Sequence, residues 1–204
     1  TFDDTLHQIS IDNNDIFSVK TEGGAKIELF DTLSKYIIDD KDAFFKAIIN
    51  KLVAFSFENI FTQKYDFYAT IFEYLIKDYN SDSGGKYAEY YTPHAVAKIM
   101  AAILVTQDVK SVTCYDPSAG SGTLLMNIAH AIGEDKCSIY SQDISQKSSN
   151  LLRLNLILNN LVHSISNVIK GNTLLNPYHK EGEDLQKFDY IVSNPPFKTD
   201  FSDY

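Results

Sequence analysis

Three stretches of this 204-residue sequence carry side chains that could do chemistry. The first is Asp116-Pro117-Ser118-Ala119-Gly120-Ser121-Gly122. Gly120 and Gly122 lack Cβ atoms, so the backbone can turn tightly and approach a ligand, while the Asp116 carboxylate suits an ammonium or hydroxyl donor. A nucleotide-like or amino-acid-like ligand fits, but the spacing is not GxGxxG, which argues against a nicotinamide cofactor. The second is Gln142-Asp143, whose carboxylate can chelate ribose hydroxyls; its alternative role is a helix cap, which Ser145 could also fill. The third is Asn194-Pro195-Pro196-Phe197. Its two prolines fix two φ angles at about −65° and remove two backbone donors. What remains is an acceptor pair, the Asn194 amide oxygen and a carbonyl near Pro195, beside an aromatic face at Phe197. A planar ring with an exocyclic amine, such as an unstacked base, matches that set.

The elements predicted around these stretches place all three at one edge. Strand-type segments at Ser111 to Tyr115, Cys137 to Ser141, Asn167 to Lys170 and Phe188 to Ser193 alternate with helices from Thr123 to Ile132 and from Ser145 to about Leu161. That alternation predicts an α/β fold with a mostly parallel, doubly wound sheet, whose ligands bind at the carboxyl ends of the strands. Upstream, Thr92 reads as an N-cap and Pro93 as the first residue of a helix carrying Val96, Ile99, Met100, Ile103 and Leu104. Residues 1–86 lack strand-like alternation and are expected to be helical. One helix starts at Asp39 or Asp40 and carries Phe44, Phe45, Ile48, Ile49, Leu52 and Val53; another carries Phe67, Tyr68, Ile71, Phe72, Leu75 and Ile76. Asn80 to Gly85 reads as a linker, dividing a helical region (1–86) from a second domain (87–204), and residues 176–187 read as a loop.

Composition narrows the function classes. Acidic residues outnumber basic ones by 27 to 18, a net charge of −9, which does not suggest unaided DNA binding. Arg153 is the sole arginine, so guanine-edge readout is expected to lie outside this chain. Cys114 and Cys137 have no CxxC spacing, and His7, His94, His130, His163 and His179 are scattered, so no metal site is expected and both thiols read as buried and reduced. No apolar run could span a membrane and no signal-peptide pattern opens the chain, so a cytoplasmic location without membrane contact is the expectation. A start at Thr1 and an end at Tyr204 suggest a piece of a longer protein.

In their order, Tyr90-Tyr91-Thr92-Pro93, Asp116 to Gly122 and Asn194 to Phe197 resemble the gamma-arrangement amino-methyltransferases that make N6-methyladenine in DNA. The similarity is greatest to the modification subunit of type I restriction-modification systems, where a segment like Phe72-Glu73-Tyr74-Leu75 leads through a glycine-rich linker to Tyr-Thr-Pro. The resemblance implies a helical amino-terminal domain and a Rossmann-like catalytic domain, here truncated at its carboxyl end. It also implies that Glu89, Tyr90, Tyr91, Thr92, Pro93 and His94, with Asp116, Ser118, Gly120, Ser121 and Gly122, bind the methionine part of S-adenosylmethionine. Asp143 would take the ribose and Asn172 the cofactor's adenine, while Asn194, Pro195, Pro196 and Phe197 would hold a flipped target adenine. Two positions depart from the family pattern: Asn172 stands for the usual aspartate and Asp143 for the commoner glutamate. Implied partners are DNA, a specificity subunit, a second modification subunit and a restriction subunit. The rival readings are a glutamine or ribosomal RNA adenine methyltransferase using the same motif, and a cofactor-binding fragment that does not turn over.

Overall fold

The computed structural model of the protein describes residues 1–21, 26–28, 30, 32–56, 74 and 92–196. The chain opens with α1 (Phe2–Asp12) and α2 (Asn14–Phe17), followed by β1 (Ser18–Thr21), β2 (Lys26–Glu28) and α3 (Lys41–Val53). A reciprocal cap between Thr1 and Asp4 starts α1, which apolar periodicity alone does not single out. Of the two candidate caps for α3, Asp40 fills the role, its carboxylate accepting from Ala43 N at 3.2 Å.

The expectation of a strand-free region 1–86 is corrected by β1, which pairs antiparallel with β2 and parallel with β5 (Val168–Lys170). Strands of four and three residues are too short to display a two-residue alternation. Their pairing depends instead on backbone groups offered by the neighbouring strand, whatever the side chains. The helix expected over 67–76 and the linker over 80–85 lie outside the described residues.

From residue 92 onward the expected alternation is realised. The elements are α4 (His94–Leu104), β3 (Val112–Asp116), α5 (Thr123–Ile132), β4 (Cys137–Asp143) and α6 (Gln146–Leu158), then β5, β6 (Lys180–Glu181), β7 (Asp184–Leu185) and β8 (Tyr190–Ile191). The sheet runs β2-β1-β5-β4-β3-β8, parallel at every pairing but β1 with β2. The chain steps outward from β3 to β4 to β5 and then returns to lay β8 on the other side of β3. That reversal makes the β3/β8 junction a topological switch point, where α/β sheets open a crevice at their carboxyl ends.

Side-chain alternation covers the two faces differently. Cys114 and Ile139 are buried in the core that includes Leu125, Ile128, Leu152 and Leu156 of α5 and α6. Their register neighbours Tyr115 and Tyr140 point the other way, where Phe188 stacks on Tyr115 at 4.5 Å and His179 meets both tyrosines edge-on at 5.4 Å. Each fully buried large side chain contributes about 1.5–3 kcal/mol. The β6/β7 hairpin replaces part of the loop expected over 176–187. The strand expected over 188–193 contracts to two residues, because Phe188 joins the ring cluster and the Asp189 carboxylate accepts from Thr113 N and Oγ1 at 2.8 and 2.9 Å. Cys114 and Cys137 are free and buried, as expected.

Candidate active site

Asp116 ends β3, fully enclosed, and its Oδ1 accepts from Ser118 N at 2.9 Å. Burial pushes its carboxyl up to about 7; the Ser118 and Ser193 donors oppose that rise and the neighbouring Asp143 charge adds to it. The loop that follows turns through Gly120 at φ 54° and Gly122 at φ 85°, where L side chains are rarely found. A Cβ at Gly122 would also meet Leu152 Cδ1, so the leucine end would have to move, and the positive φ is what calls for glycine. Asn155, buried on α6, supports the loop from below by donating to Ser121 O at 2.8 Å.

Asp143 ends β4, and its two oxygens face two ways. Oδ2 accepts from Gly120 N at 2.9 Å, and Oδ1 accepts from Ser145 N at 2.8 Å. The cap of α6 is Ser145, whose hydroxyl accepts from Ser148 N, so Asp143 is left to join the glycine loop. Burial raises its carboxyl, against the pull of those two N–H groups. Both carboxylates therefore flank one loop at one sheet edge.

Asn194 follows β8 and is exposed, as are Pro195 and Pro196. Two contacts bind this segment to the other predicted stretches: Ser193 Oγ lies 2.7 Å from Ser118 Oγ, and Asn194 Nδ2 donates to Thr92 Oγ1 at 3.1 Å. The expected capping role of Thr92 is corrected. Pro93 occupies the N-cap of α4 with its carbonyl accepting from Val96 N and Ala97 N, which leaves the Thr92 hydroxyl one residue too early to cap. His94 Nδ1 sits 3.4 Å from Asn127 Nδ2, linking α4 to α5.

The loop after β5 completes the edge. Thr173 Oγ1 donates to Pro117 O at 2.6 Å, and buried Gln142 grips the loop by donating to Asn176 O at 2.9 Å and accepting from Tyr178 N at 3.0 Å. Asn172 Oδ1 accepts from Leu174 N and Leu175 N at 3.0 and 3.2 Å, so that oxygen orders the turn. The structure thus gathers Thr92, Asp116, Ser118, Gly120, Asp143 and Asn194 into one contact network, while Ser121 faces Thr123 Oγ1 at 3.1 Å. Glu89, Tyr90, Tyr91 and Phe197 lie outside the described residues. Sequence reasoning missed Ser193, Gln142, Asn155 and Thr173, whose partners are distant in sequence and leave no local pattern. Among the described residues no group of His, Cys, Asp and Glu could hold a metal ion.

Residues 63–204 match the family model described as N-6 DNA Methylase, well over half of the chain. The chain belongs to the N-6 DNA methylase family. The methylase subunit of the type I restriction enzyme MpnII from Mycoplasma pneumoniae is 30 % identical to this chain over 139 residues, 65 % of this chain and 26 % of that protein. The MjaIX methylase subunit from Methanocaldococcus jannaschii is 28 % identical over 165 residues, 78 % of this chain and 27 % of its own length. The crystal structure of a type I restriction-modification methyltransferase subunit from Streptococcus thermophilus matches with TM-score 0.51 at 28 % identity, covering 57 % of this chain and 25 % of that one. The chain therefore spans about a quarter of the length of these relatives.

Proposed function

We propose that this chain is the catalytic part of a type I modification subunit, which methylates N6 of an adenine drawn out of duplex DNA, with S-adenosylmethionine as methyl donor. The observation that carries the reading is the placement of Asn194 beside the Asp116 loop at the switch point, joined to it through Ser193 and Ser118. The donor set suits the cofactor: an enclosed carboxylate for its ammonium, a second for its ribose, and glycines that let the backbone come close. When bound, S-adenosylmethionine supplies an electrophilic methyl group on a positively charged sulfur.

Asp116, Ser118, Gly120, Ser121 and Gly122 hold the methionine end together with the segment Glu89 to His94; Asp143 takes the ribose, and Asn172 acts through the turn it orders. Asn194 Oδ1 and the Pro195 carbonyl accept the two N–H groups of the target amine, which draws its lone pair out of ring conjugation. Pro196 stiffens this presentation, and Phe197 offers the ring a stacking face. No strong base is needed, because positioning and the attraction of those oxygens for developing positive charge do most of the work. Extruding the base costs a few kcal/mol and calls for a grip on DNA that this acidic chain does not offer. Arg153 is fully buried, donating through Nη2 to Ile16 O at 2.6 Å, so it cannot read a base edge. Target reading therefore belongs to a specificity subunit, in a cytoplasmic assembly that also holds a second modification subunit and a restriction subunit. No helix among the described residues is long and apolar enough to cross a membrane.

The test uses the full-length subunit assembled with its specificity subunit, labelled S-adenosylmethionine and duplex DNA. Label recovered as N6-methyladenine, and lost in Asn194→Ala, is the expected result. Label in protein or RNA, or transfer indifferent to Asn194→Ala, overturns the reading.

A further inference from the structure

An asparagine presents an acceptor or a donor according to how its amide is turned, and the two orientations have nearly the same shape. At position 194 the turn matters, because a target amine needs an oxygen facing it and a nitrogen there would set donor against donor. Asn194 is exposed. What does engage it is the half-buried Thr92 hydroxyl, 3.1 Å from Nδ2. In this contact the amide nitrogen donates and the threonine oxygen accepts, at an ordinary N–H···O separation. Among the described residues no hydrogen bond occupies Asn194 Oδ1. One residue earlier, the Ser193–Ser118 contact of 2.7 Å anchors the same segment independently, so the loop's position does not depend on Thr92.

We infer that Thr92 is a positioning residue that sets the amide orientation of Asn194, holding its nitrogen so that its oxygen faces the substrate amine. The inference rests on the proposed methyl transfer and gives Thr92 a duty separate from the cofactor contact implied by the family resemblance. Thr92 acts only through Asn194 and touches no reacting atom.

The experiment is a double-substitution cycle in the full-length assembled enzyme, read as single-turnover methylation at saturating cofactor and DNA, with S-adenosylmethionine affinity measured by calorimetry. Thr92→Val keeps the side-chain shape but loses the hydroxyl acceptor, and lowers the rate about tenfold to a hundredfold. Because the cofactor is saturating, a change in its affinity does not enter this rate, and Thr92→Ser recovers the rate to within about threefold. Asn194→Asp presents an oxygen whichever way it is turned, so Thr92→Val in that background costs less than about threefold. Thr92→Ala serves as a second hydroxyl-free variant if the valine form folds poorly. Equal losses in both backgrounds, an unchanged rate, or a loss confined to cofactor affinity each overturn the inference while leaving the proposed reaction standing. An unsubstituted enzyme that methylates no DNA adenine overturns the reaction itself, and the inference with it.

Discussion

Residues 1–56 and residues 92–196 both carry many apolar side chains but use them differently. In α3, Phe44, Ile49, Leu52 and Val53 are between 44 and 75 % exposed, and only Phe45 is buried. In α5, by contrast, Leu124, Leu125, Met126, Ile128, Ala129 and Ile132 are all at 5 % or less. The reason is topological: α5 is the crossover between two adjacent parallel strands and must fold back onto them, whereas α3 follows a short hairpin at the far edge. α4 stands between the two cases, burying Ala97 and Ala101 while Val96, Ile99 and Ile103 remain exposed. The regions are stitched together by the β1/β5 pairing and by Arg153, whose guanidinium burial pulls down to about 10. The geometry of the candidate site accordingly depends on the second region's core and only indirectly on the first.

The contrast can be broken most forcefully at the core. Leu125→Ala is expected to cost about 2–5 kcal/mol in denaturant unfolding, and Leu52→Ala less than about 0.5 kcal/mol. Equal costs would mean that the amino-terminal region has a core of its own. Gly122→Ala comes next, at about 1–3 kcal/mol, because it forces a side chain into left-handed backbone and against Leu152. It should also weaken S-adenosylmethionine binding in calorimetric titration; unchanged binding would separate the loop from the cofactor.

A pH-dependent effect tests Asp116. Its folded pKa of about 7 lies above its unfolded value, so folding favours the protonated acid. The stability it contributes is full in acid and is lost as pH rises through about 7, a decline that Asp116→Asn should flatten in pH-dependent unfolding. Cofactor affinity should run the opposite way, falling about tenfold per unit as pH drops below about 6, because an ammonium pairs only with the carboxylate. Parallel trends in stability and affinity would remove Asp116 from the ammonium site. The smallest effect lies at the amino-terminal cap, where Asp40→Ala should cost about 0.5–1 kcal/mol in thermal unfolding and leave S-adenosylmethionine affinity unaltered. A change in affinity would show that α3 is coupled to the site after all.

Much of the second region was legible because its signals are local. α5 runs from Thr123 to Ile132 as expected, punctuated by Gly122 and Gly133, and Ser145 caps α6 as its residue type suggests. Thr92 misled for the same reason. It is a good capping residue beside a proline, and nothing in its neighbourhood reveals that Asn194 claims its hydroxyl. Gln142 and Asn155 gave no warning either, since their partners lie on loops that meet them only in three dimensions.

Residue type and short-range spacing, taken alone, determined α4 to α6 and β3 to β5, and put Asp116 and Asp143 at strand ends with Asn194 shortly after β8. Those properties follow from caps, turns and periodicity, which are settled between near neighbours. Only the tertiary structure decided that β8 returns beside β3 instead of extending the sheet past β5, and that β1 occupies the β5 edge. Strand order depends on which backbone edges remain open once the helices have packed, and on closing long loops, neither of which a local pattern encodes. That choice is what brings Ser193 to Ser118 and Asn194 to Thr92.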